Sequence, residues 1–93
     1  MKTYYIDTDA RLLDIFREHC NLSSWQYEFI RKEFFFLKCD IQEEEPAAEI
    51  EKRCDKLHVI FDFLYETKEL DLKEYTEICD LVEEMRAAAE GAA

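Results

Sequence analysis

Apolar residues recur three and four positions apart along almost the whole chain, the period of an α-helix that buries one stripe. Leu12, Ile15, Phe16 and His19 share a face, with Leu13 and Cys20 beside it, which predicts a first helix over 8–20 stopped at Asn21. A second start follows at once. Ser23 stands as N-cap, Gln26 completes a capping box, and Leu22 is spaced to staple against Tyr27, so a helix is expected over 23–42. Pro46 belongs to the first turn of a third helix over 46–67, where its missing N–H costs nothing. Asp71, Glu74 and the Leu70/Tyr75 pair repeat the cap, box and staple for a fourth helix over 71–89.

These elements predict an all-α fold: a small antiparallel bundle of about four helices, built as two αα-hairpins and forming one domain over 1–93. The segment MKTYYID adds a short N-terminal arm, with Tyr4 and Tyr5 expected against the bundle. The repeated start device lies 48 residues apart, and aligning 7–30 with 55–78 without a gap matches six identical residues of 24. A duplicated hairpin and a shared helical composition both account for that number.

Helix two breaks the one-stripe rule. At about 100° per residue, Tyr27, Ile30, Phe34, Leu37 and Ile41 form its core stripe, while Trp25, Phe29 and Phe36 cluster on nearly the opposite side. Phe35 and Cys39 lie between. Helix three shows a weaker version, with Val59 and Phe63 opposed to the stripe of Ile50, Cys54, Leu57, Phe61 and Leu64. Two outcomes are open for the second face. Either the arm or helix one covers it, or Trp25, Phe29 and Phe36 remain as a patch for another chain, since large aromatics carry interface energy more often than other residues do.

Charge changes the picture further. The chain carries −11, and all of it lies in one half. Residues 1–39 hold six acids and six bases, whereas residues 40–93 hold 17 acids against six bases, 6 − 17 = −11. Nine of the 13 aromatics fall before residue 40. Glu74, Glu77, Asp80 and Glu84 are spaced to run along the outer face of helix four, and Glu43, Glu44 and Glu45 cluster before Pro46. Such a field repels nucleic acid and anionic membrane and attracts a basic protein. The plainer role of such carboxylates is solubility.

Catalytic chemistry finds little footing. The single Gly, at position 91, excludes glycine-rich phosphate loops and the nucleophile elbow. Cys54 with His58, and His19 with Cys20, lack finger or ribbon spacing, and no Glu-x-x-His pair exists for a di-iron bundle. No metal, cofactor or enzymatic role is expected. The four cysteines lack a C-x-x-C pair and read as reduced, packed thiols. No apolar run approaches the roughly 18 residues of a membrane span, and MKTYYIDTDAR lacks a signal-peptide centre, so a cytoplasmic protein is expected.

The expectation is therefore a non-enzymatic acidic binding protein that docks on, and inhibits or masks, a basic nucleic-acid-handling protein. Phage-encoded inhibitors (anti-CRISPR and anti-restriction proteins), antitoxins and nuclease immunity proteins share this general character. Its expected contacts are Trp25, Phe29 and Phe36 on an apolar face and Glu43, Glu44, Glu45, Glu74, Glu77, Asp80 and Glu84 on an acidic one. The alternative is a scaffold subunit that forms a homodimer or a larger assembly through the aromatic face of helix two.

Overall fold

Four helices account for the fold: α1 (Thr8–Ile15), α2 (Ser24–Gln42), α3 (Ala47–Glu66) and α4 (Leu72–Gly91). The computed structural model describes residues 6–16 and 21–91. Each helix packs on its neighbours in the chain, and α1 also meets α4, which closes an antiparallel four-helix bundle with extents of 38 × 22 × 21 Å. Its core is one cluster. Leu12, Phe34, Leu37, Cys54, Leu57, Phe61, Ile78, Leu81, Val82 and Met85 are fully buried there, with Phe34 and Phe61 stacked at 5.9 Å between α2 and α3.

The caps form as the residue types require. Ser23 accepts the Gln26 N–H while Gln26 accepts the Ser23 N–H, and Asp71 and Glu74 repeat that reciprocal pair at α4. Asp7 caps α1 by accepting the Ala10 N–H. Pro46 is the N-cap of α3, extended at ψ 145°, one position ahead of the first turn expected for it. Gln26 also donates to Glu69, whose carboxylate accepts from Thr67, so the start of α2 is tied to the α3–α4 turn.

Helix α1 is shorter than its periodicity predicts. It ends at Ile15, with Phe16 leaving helical geometry as C-cap while its N–H still reaches the Leu12 carbonyl. The Phe16 ring turns into the core and meets Tyr27 edge-on at 5.9 Å. The rest of that expected helix, with His19 and Cys20, lies outside the described residues, as do Tyr4 and Tyr5 of the arm.

Both α2 and α3 end in a left-handed residue that is not glycine. Glu44 has φ 58° and Lys68 φ 64°. Around each, the two Schellman bonds close: Glu45 N–H to the Asp40 carbonyl with Glu44 N–H to Ile41, and Glu69 N–H to Leu64 with Lys68 N–H to Tyr65. Helix-terminal carbonyls are thereby satisfied in a chain with almost no glycine.

Candidate functional site

The second face of α2 is exposed. Trp25 is 71% accessible, Phe35 54%, Phe36 46% and Phe29 42%, while Ile30, Phe34, Leu37 and Ile41 of the core stripe are buried and Tyr27 is half-buried. On α3, Val59 and Phe63 are likewise exposed. Charged side chains join the two helices along one seam. Lys56 and Arg53 of α3 reach across to Glu33 at 3.2 and 3.6 Å, and Arg53 binds Asp40 at 2.5 Å. By about 100° per residue, Phe29 lies within about 40° of Glu33 and Asp40 on α2, and Phe63 within about 20° of Lys56 on α3. The apolar surface thus spans both helices, α2 supplying Trp25, Phe29 and Phe36 and α3 supplying Phe63, with Val59 about 40° further round α3.

Charge on this seam is largely balanced. A cleft along it is lined by Lys52, Arg53 and Lys56 and by Asp40, Glu45 and Glu49. With Glu33, which Arg53 and Lys56 also reach, four acids stand against three bases. The Arg53 guanidinium sits 5.6 Å from the Phe36 ring centroid, a cation–π distance. This basic component was not foreseen, because the sequence alone does not say which helix the bases of α3 face.

Most of the expected acidic residues lie elsewhere. Glu77, Asp80 and Glu84 sit on the side of α4 turned away from α3 or toward α1, and the Glu43–Glu45 turn sits at the bundle end where α4 finishes. Glu45 and Glu90 there line a common cleft of about 330 Å³, floored by Ala47, Ile50 and Ala89. The acidic surface therefore runs along α4 and wraps that end. Trp25 opens α2 at the end opposite the Glu43–Glu45 turn.

Two of the expected acidic positions need revision. Glu74 is buried, 3% accessible, and belongs to the cap of α4 rather than to an outer face. Its spacing from Glu77 put it on the carboxylate row, but the capping box turns its side chain back toward Asp71. Glu84 is exposed but bound to Arg11 of α1 at 2.5 Å. Glu33, which the sequence pattern does not single out, is 6% accessible beneath Lys56 and Arg53. In contrast, the carboxylates of Glu43, Glu44, Glu45, Glu77 and Asp80 meet no cation within 4 Å among the described residues.

Cation partners on the α3–α4 side gather around one residue. Arg86 binds Glu51 and reaches Glu83 and Asp55 at 3.4 and 3.5 Å, and His58 contacts Glu83 at 2.7 Å. Tyr75 stacks on Tyr65 at 4.7 Å and donates to Asp62, a bond that raises its hydroxyl pKa to about 12. Burial pushes the Cys54 thiol up to about 11. Cys39, Cys54 and Cys79 are free thiols. Among the described residues no three His, Cys, Asp or Glu side chains converge as a metal site, and no helix is long and apolar enough to cross a membrane.

No protein-family model, curated protein or solved structure matches the chain.

Proposed function

We propose that this chain is a non-enzymatic binding protein that docks its acidic side on a basic protein surface and masks it. The basic surface would be one that ordinarily meets nucleic acid, as in the inhibitor, antitoxin and immunity-protein manner of action. One observation carries the reading: the carboxylates of Glu43–Glu45, Glu77 and Asp80 meet no cation among the described residues, while neighbouring acids are paired with Arg11 and Arg86. Unscreened like charges destabilise a helix and the fold around it. An arrangement that concentrates them on one side lowers its electrostatic energy when a cationic surface replaces solvent there.

The test is affinity capture with the full chain against a Glu77→Lys/Asp80→Lys variant as control. A basic nucleic-acid-handling protein retained by the first and released by the second supports the reading. Equal retention by both sinks it.

A further inference from the structure

We infer that the seam between α2 and α3 is the interface of an isologous homodimer, occupied by the same seam of a second copy. Area supports this first. The exposed parts of Trp25, Phe29, Phe36, Val59 and Phe63 sum to about 500 Å² of apolar surface, taking about 150–250 Å² for a whole aromatic side chain. A standard interface takes about 800 Å² from each partner, and in homodimers about 65% of that is apolar, again about 500 Å². The patch matches what one stable dimer needs.

Charge selects the occupant. Two chains of −11 repel over most of their surface. That repulsion is reduced at the seam, where Lys52, Arg53 and Lys56 offset most of the charge of Glu33, Asp40, Glu45 and Glu49 and Arg53 lies over Phe36. An acidic partner would find no net positive field there, and a basic one would be drawn to α4 instead. A self-complementary, nearly neutral, apolar patch fits a two-fold pairing. The dimer leaves α4 of both copies facing outward, so the acidic sides remain open whether or not they have a basic partner. The inference is independent of that partner.

Sedimentation equilibrium on the full chain, read alongside Trp25 emission, tests it. The dimer is expected to tighten as salt screens the outer carboxylates, with Trp25, the only Trp, shifting to the blue on association. Phe63→Glu, on a side chain 64% accessible, should give a monomer with unchanged helical circular dichroism. Val59→Lys, 67% accessible, provides a second variant with the same expected loss. A wild-type monomer at every concentration would overturn the inference, and blue emission from that monomer would assign the face to a segment of the same chain. A dimer untouched by both variants would place the interface elsewhere and overturn it equally. Glu77→Lys/Asp80→Lys should leave dimerisation intact, so loss of partner binding and loss of the dimer are separate results.

Discussion

The guanidinium of Arg53 lies 5.6 Å from the ring of Phe36 while its Nε binds Asp40 at 2.5 Å. One side chain thus links the aromatic surface of α2 to the charge network that joins α2 and α3. The same guanidinium stands 3.6 Å from Glu33, whose carboxylate is nearly excluded from water. Removing it leaves that carboxylate to Lys56 alone. Arg53→Met is therefore expected to cost about 1–3 kcal/mol in urea denaturation, the penalty for an under-compensated buried polar group. Glu33→Met combined with Arg53→Met should lose less than Arg53→Met alone, because the stranded charge is gone.

Glu74 and Glu77 separate burial from charge on one helix. Glu74→Lys places a cation where a carboxylate holds the Asp71 N–H in a buried site, and should destabilise by more than about 3 kcal/mol. Glu77→Lys and Asp80→Lys relieve repulsion and should leave thermal stability equal or slightly higher. Asp71→Ala, which removes the acceptor for the Glu74 N–H at 2.7 Å, should cost about 0.5–2 kcal/mol, as should Ser23→Ala.

The left-handed caps predict stabilising substitutions. A Cβ at positive φ costs about 1–2 kcal/mol, and glycine gives back part of that in unfolded-chain entropy. Glu44→Gly and Lys68→Gly should each raise stability by roughly 0.5–1 kcal/mol in the same denaturation assay. No gain at either position would mean that the Schellman turns are misassigned.

Alkaline pH should unfold the protein through two raised groups. The folded-state pKa values of Cys54 and Tyr75 lie above their ordinary values, at about 11 from burial and about 12 from the bond to Asp62. Stability from each is fully present below the unfolded pKa, about 8.5 and 10, and is lost as pH rises through the folded value. A stability profile that falls between about pH 9 and 12, and falls less in Cys54→Val and Tyr75→Phe, is expected. At neutral pH, Cys54 should resist alkylation in the native state, since the thiolate is the reactive form.

Much of this architecture was legible in the periodicity. Ser23–Gln26 and Asp71–Glu74 are local signatures, and both form capping boxes. The angular separation of Trp25, Phe29 and Phe36 from the Tyr27–Ile41 stripe also carried through to exposure, because a helix wheel decides it. What stayed hidden depends on which helices neighbour one another. Glu33 becomes buried only because Lys56 and Arg53 arrive from α3, and the acids of the seam are largely offset for the same reason. The stop of α1 at Ile15 carries no Gly or Pro mark, and the left-handed Glu44 and Lys68 lack the glycine that usually announces such a turn.

The acidic side as a docking surface is tested most directly by the association rate with the captured basic partner against ionic strength. Opposite charges steer encounter over a Debye length that shrinks from about 30 Å at 0.01 M salt to about 3 Å at 1 M. The rate should fall at least about tenfold across that range, and Glu77→Lys/Asp80→Lys should lower it at low salt with little change in dissociation. An association rate that is flat or rises with salt, and is indifferent to those two reversals, would contradict the account.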